Sequence, residues 1–92
     1  MNNYDPEMHK DYALKKRYGI SLKEYYQMLA DQNGLCAICG ASESETQRRL
    51  HVDHDHETGE IRGILCHRCN VALGMVQDNV KILSLMIRYL EK

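Results

Sequence analysis

Ninety-two residues with 12 Lys+Arg, 13 Asp+Glu and a formal net charge of −1 make one small domain, and that balance excludes a nucleic-acid binder working by bulk positive charge alone. Hydrophobic residues at 43% and charged residues at 27% exclude disorder, and one Pro among so few Gly excludes collagen-like or Pro-rich character. No apolar run approaches the roughly 18–20 residues of a membrane span, and Met1–Lys10 has no apolar core of a secretory signal. The expected location is therefore the cytoplasm.

In chain order, Asp5-Pro6 predicts a helix start, with Asp capping free N–H groups and Pro at the first helical position. That helix runs to about Tyr18 and stops at Gly19. Ser21-Leu22-Lys23-Glu24 is a capping-box pattern and opens a second helix ending near Asn33-Gly34. Arg49 to Asp53 reads as a short strand, Glu57 to Glu60 as a turn, and Ile61 to Leu65 as the return strand. Cys69 to Val76 reads as a helix. Asp78 or Asn79 then caps a last amphipathic helix, with Val80, Leu83, Ile87 and Leu90 on one stripe and Ile82, Met86 and Tyr89 beside it. That stripe is expected to be core, or to cover a partner subunit. Of the six tyrosines, Tyr4, Tyr12, Tyr18, Tyr25 and Tyr26 are expected to pack the first helices.

The four cysteines stand as Cys36-Ala-Ile-Cys39 and Cys66-His-Arg-Cys69. Two residues between thiolates let both sulfurs of a turn converge on one tetrahedral ion, and two such turns complete a closed Cys₄ site for structural Zn²⁺. Two disulfides are the competing reading, and a redox-active pair a weaker one. A core this small buries only about 60–65% of what the unfolded chain exposes, so a metal staple is also what the size requires.

His51-Val52-Asp53-His54-Asp55-His56 packs three of the five histidines and two aspartates into six residues. Carboxylate oxygen suits a hard divalent cation, imidazole suits proton transfer near neutral pH, and Asn70 brings an amide oxygen to the next helix. Strict alternation along a strand puts Asp53 and His54 on opposite faces. Both can serve one site only if the strand ends or bulges there, so an irregularity is expected. Lys10, Lys15, Lys16, Arg17 and Lys23 near the first helices are candidates for phosphate contacts or a solvated face, and Arg62 is the arginine best placed for a phosphate.

The string Leu50 to His56, with Thr58-Gly59, Ile61-Arg62-Gly63-Ile64-Leu65-Cys66, Cys69-Asn70 and Leu73-Gly74, resembles the HNH endonucleases of the phage recombination endonuclease VII family. The resemblance covers about Leu35 to Gly74 and implies a ββα-metal finger there. With the elements read above, the chain is expected to be one small zinc-stapled α+β domain spanning 1–92, with a helical part at 1–34, the zinc-braced core at 35–77 and a C-terminal helix at 78–92. The resemblance also implies a metal-dependent DNA endonuclease with Asp53 and Asn70 holding Mg²⁺ or Mn²⁺, His54 as general base and His56 as an accessory histidine. Cys36, Cys39, Cys66 and Cys69 would hold the structural zinc, while His51 matches a position of less definite role. Expected partners are DNA, with little base readout, and a second copy of the chain through the last helix, with no membrane. The alternative is a zinc module that binds DNA or protein without catalysis.

Overall fold

The computed structural model describes residues 6–92, with side chains from Lys10 onward; the expected Asp5 cap and Tyr4 lie outside them. Helix α1 (Pro6–Tyr18) ends where Gly19 turns to φ +75 and its N–H reaches the Lys15 carbonyl at 3.0 Å. Ser21 opens α2 (Leu22–Asp31) with both arms of the capping box formed, each at 3.0 Å. The Asp11 carboxylate of α1 accepts the Leu22 N–H at 2.7 Å and pairs with Lys15 at 3.1 Å, which holds its carboxyl below the usual range and ties the two helices together.

After α2 the chain turns through Asn33 and Gly34, both at positive φ, into the first cysteine turn. A one-turn helix, α3 (Glu43–Thr46), follows, capped by Ser42 with Glu45 returning the bond. Strands β1 (His51–His54) and β2 (Ile61–Leu65) form an antiparallel hairpin. In its loop the Asp55 carboxylate accepts the N–H groups of Glu57 and Thr58 at 2.8 and 3.1 Å. The strand begins two residues later than the sequence predicts. Leu50 spends its carbonyl on the Tyr25 hydroxyl and its N–H on the Glu43 carboxylate, so neither enters the ladder.

The pairing runs His51 with Leu65, Val52 with Ile64 and Asp53 with Gly63, then slips to His54 with Ile61. The irregularity expected between the adjacent Asp53 and His54 lies there, and Arg62 is the extra residue it leaves on β2. The outer edge of β2 is closed by the Gln32 side chain, whose amide both accepts from the Ile64 N–H and donates to the Ile64 carbonyl, each at 2.9 Å. Helix α4 (His67–Met75) starts earlier than expected because Cys66 is its cap, the sulfur accepting the Cys69 N–H. Helix α4 packs on β1, completing the ββα arrangement.

The core gathers Leu22 and Tyr25 from α2, Leu50 just before β1 and Val52 within it, Ile64 and Leu65 from β2, and the buried Cys36 and Cys66. Tyr25 is the polar member, its hydroxyl donating to the Leu50 carbonyl at 2.6 Å. Tyr25→Phe removes that buried bond and leaves the carbonyl without its donor. It is expected to cost about 1–3 kcal/mol, read as a fall of the melting temperature by roughly 4–8 °C per kcal/mol; an unchanged melting temperature would show the bond to be idle.

Helix α5 (Val80–Leu90) corrects the expectation of a core helix: none of its residues is buried, and Val80, Ile87 and Leu90 stand well exposed. Its amphipathic pattern is real, but of the predicted stripe only Leu83 is half-buried, and most of the apolar face stands uncovered among the described residues. No described helix is long and apolar enough to cross a membrane.

Candidate active site and metal centre

The two cysteine turns converge. The sulfurs of Cys36, Cys39, Cys66 and Cys69 all lie within 4.8 Å of one another, and among the described residues they form the one cluster of His, Cys, Asp and Glu arranged to hold a metal. Local hydrogen bonds shape each turn: Cys36 N–H to the Ala41 carbonyl at 2.8 Å, Gly40 N–H to the Cys36 carbonyl at 3.1 Å, and Ile38 N–H to the Cys36 sulfur at 3.4 Å. Burial opposes ionisation of Cys36, but N–H donors from the turns outweigh it and draw that thiol down to about 6. Burial and the neighbouring sulfurs push Cys69 up to about 12. Four sulfurs this close cannot all ionise without a cation between them, and a tetrahedral, thiolate-binding ion is the chemistry that resolves this.

Asp53 is buried to 7% exposure although it is a carboxylate. Both of its oxygens are engaged by Arg62, Nε to Oδ2 at 2.7 Å and Nη2 to Oδ1 at 3.1 Å. The same Nη2 reaches Asp78 Oδ2 at 3.2 Å. The Asp53 bond first, burial notwithstanding, and then the field of both carboxylates hold the guanidinium more firmly protonated than usual. Arg62, read from sequence as a phosphate contact, thus bridges two carboxylates. Asp78 has a larger part than the sequence gives it. Asn79, not Asp78, caps α5, accepting the Ile82 N–H at 3.1 Å, while Asp78 faces Arg62 and His56.

His54 is half-buried at the end of β1, its ring 4.7 Å from that of His56 and 5.6 Å from that of Tyr18. His56 is exposed, with Nε2 4.0 Å from the same Asp78 oxygen that Arg62 holds. Tyr18, His54, His56, Asp78, Arg62 and Asp53 therefore form one continuous run. Asn70 lies half-buried in the first turn of α4, its backbone N–H on the Cys66 carbonyl at 3.0 Å, and its amide takes no part in that run. Asp53 carboxylate and Asn70 amide are oxygen donors of the kind a hard cation takes, so their chemistry fits Mg²⁺ or Mn²⁺. His51 stands apart, 6.0 Å from the His67 ring, and burial together with His67, Arg48 and Arg49 disfavours its charged form.

Two concavities flank this run. One, about 650 Å³, lies between α1 and β1 and carries Lys10, Lys16, Arg17 and Arg49 on its walls with no carboxylate; Tyr18, which touches His54, also lines it. The other, about 510 Å³, is lined by Asp55, Glu57 and Asp78 together with His56 and Arg62. The cationic groove sorts the basic residues of α1. Lys10, Lys16 and Arg17 face it, whereas Lys15 is paired with Asp11 and Lys23 lines a different hollow.

Gln32 and Asp78 are the positioning side chains that sequence reasoning missed. Asn33-Gly34 marked the turn beside Gln32, but nothing local announces a partner 32 residues away.

A protein-family model described as recombination endonuclease VII matches residues 11–92. Over 76 residues the chain is 43% identical to the Gene 59 protein of Mycobacterium phage D29, covering 82% of this chain and 46% of that protein. Over 74 residues it is 43% identical to the Gene 59 protein of Mycobacterium phage L5, covering 79% and 44%. The chain thus spans a little under half the length of these curated relatives. No solved structure matches it.

Proposed function

Because the chain belongs to the recombination endonuclease VII family, we propose that it is a metal-dependent DNA endonuclease of the HNH type, hydrolysing phosphodiester bonds with weak sequence preference. The observation that carries this reading is the slip of the hairpin between Asp53 and His54. It releases two successive residues from strict alternation, which a purely structural hairpin has no need to do. In this reading the His54 imidazole accepts the proton of the attacking water, and His56 beside it contacts the phosphate. Asp53 and Asn70 hold a Mg²⁺ or Mn²⁺ ion, and Cys36, Cys39, Cys66 and Cys69 hold Zn²⁺. The divalent cation, when bound, supplies charge for the phosphate and the leaving 3′-oxygen. The products expected are 5′-phosphate and 3′-hydroxyl ends.

The cationic groove supports DNA as the substrate. In a chain of net charge −1 it collects four cations without a carboxylate and ends at Tyr18, against His54. Its phosphate contacts would position the strand without reading bases, which is the basis for weak sequence preference. The uncovered apolar face of α5 is of the kind that seats a second copy of the chain about a two-fold axis, setting two sites on paired strands.

A non-catalytic zinc module is the second reading, favoured by the closure of both Asp53 oxygens by Arg62. Supercoiled plasmid incubated with zinc-loaded protein and Mg²⁺ or Mn²⁺ separates the two. Nicked circles with 5′-phosphate ends are expected, and linear product would report paired cuts by a dimer. Intact plasmid, junction and single-stranded DNA, with zinc bound and the fold present, would establish the binding module instead.

A further inference from the structure

We propose that Arg62 is a resident counter-ion for Asp53, and that Asp78 is the acceptor that draws it aside when a divalent cation binds. The inference rests on the reading of Asp53 as a cation ligand. A buried carboxylate with no positive partner is strongly disfavoured, so before the cation arrives something must neutralise it. Arg62 does this with two donors, at 2.7 and 3.1 Å. Asp53 and Arg62 differ in freedom: the Asp53 side chain is 9% exposed and the Arg62 side chain 37%. Arg62 is also the extra residue at the slip in the ladder, so it is not held by a regular pair on β1.

The route by which it leaves is built into the contacts. Nη2 already bonds both carboxylates, Asp53 Oδ1 at 3.1 Å and Asp78 Oδ2 at 3.2 Å. A swing of the guanidinium toward Asp78 therefore loses the Asp53 bonds while keeping a charged partner throughout. Asp78 is fixed to receive it. Gln77 and Asp78 both take left-handed backbone, φ +55 each, which side-chain-bearing residues adopt at a cost. Their N–H groups close the C-terminus of α4 on the Gly74 and Leu73 carbonyls at 3.0 and 2.9 Å, the two hydrogen bonds of a Schellman turn. The turn aims a short, rigid carboxylate at Arg62.

Charge balance gives the same assignment. Two carboxylates and one guanidinium leave one negative charge, which attracts a cation. With a divalent ion the group becomes singly positive, and a phosphodiester then brings it to neutrality. Without Asp78 the balance shifts by one charge at every stage, and Arg62 loses the one acceptor besides Asp53 that its Nη2 already holds.

The test is Mn²⁺ binding to the zinc-loaded chain in the absence of DNA, followed by electron paramagnetic resonance. Arg62→Gln removes the competitor and is expected to bind Mn²⁺ about tenfold tighter or more, the factor that a coupling of about 1.4 kcal/mol produces. Asp78→Asn strands the guanidinium on Asp53 and is expected to bind more weakly by a similar factor. The double variant is expected to bind more tightly than Asp78→Asn, because the guanidinium is gone, and to fall short of Arg62→Gln only by the lost field of one carboxylate. Mn²⁺ should also raise the melting temperature of Arg62→Gln more than that of wild type. Arg62→Lys, which keeps the charge but not the paired donors, falls between and stands in if Arg62→Gln does not fold. Asp53→Asn is the control that loses the ion. Wild-type Mn²⁺ affinity in both Arg62 variants, with Asp53→Asn defective, overturns the counter-ion while leaving the cation site. No wild-type Mn²⁺ binding that depends on Asp53 overturns both.

Discussion

His54→Ala is expected to lower DNA cleavage by roughly 10²–10⁴-fold, the usual contribution of a positioned general base, with fold and zinc content unchanged. The selectivity follows from where the residue sits. His54 is the last residue of β1, paired with Ile61 beyond the slip, and only half-buried. Its ring meets Tyr18 and His56 and contributes nothing to the buried cluster of Leu22, Tyr25, Leu50, Val52 and Ile64. Losing it opens space at a rim that water already reaches, and such changes cost little stability. The measurement is plasmid nicking at saturating Mn²⁺, with circular dichroism and zinc stoichiometry on the same preparation. Added imidazole should restore part of the rate to the alanine variant by supplying the missing base. A folded, zinc-loaded His54→Ala that nicks as fast as wild type would remove His54 from the reaction and with it the proposed division of roles along β1.

What could be read in the sequence was mostly local. Gly19, Ser21 with Glu24, and Asn79 mark helix ends by chemistry that acts within four residues, and each does so in the structure. The cysteine spacing carries its own geometry, and the sulfurs meet. The slip between Asp53 and His54 was legible because two successive chemical residues conflict with a period of two. The same capping signal stands at Ser42 and Glu45, where it opens a helix of only four residues, too short for any periodicity to announce. Long-range pairings were not legible. Gln32 closes Ile64 across 32 residues and Arg62 reaches Asp78 across 16, and no pattern in either neighbourhood names its partner. Arg62 reads from the sequence as a phosphate contact because it follows the turn beside the histidines; the carboxylate buried beside it takes its donors instead. The α5 stripe shows a different limit. Periodicity reveals that a helix has an apolar face but not whether the chain folds back to cover it, and here the described residues bury no residue of it fully.

Removing the metal from the cysteine cluster is expected to unfold the hairpin half of the chain, and Cys66→Ser to approach the same result by itself. Structural zinc contributes about 10–16 kcal/mol in small zinc-binding peptides, while whole domains are stable by only about 5–15 kcal/mol. A chain of 92 residues whose last helix buries nothing has no reserve to replace it. Cys66 is the most demanding of the four: it is 1% exposed, belongs to the core, and caps α4 through its sulfur. Cys39 is exposed, so Cys39→Ser should weaken metal binding with a smaller loss of packing. Thermal unfolding with and without a strong zinc chelator measures this, and a chelated protein that melts cooperatively at the native temperature would count the cluster out as a staple. The order also bears on catalysis. Asn70 follows Cys69 directly, and the first turn of α4 is anchored at Cys66, so the metal on the sulfurs fixes where the amide proposed for the catalytic ion stands. Zinc chelation should therefore abolish cleavage even when Mn²⁺ is afterwards supplied in excess, whereas removing Mn²⁺ alone should stop cleavage and leave the melting curve of a zinc-loaded domain.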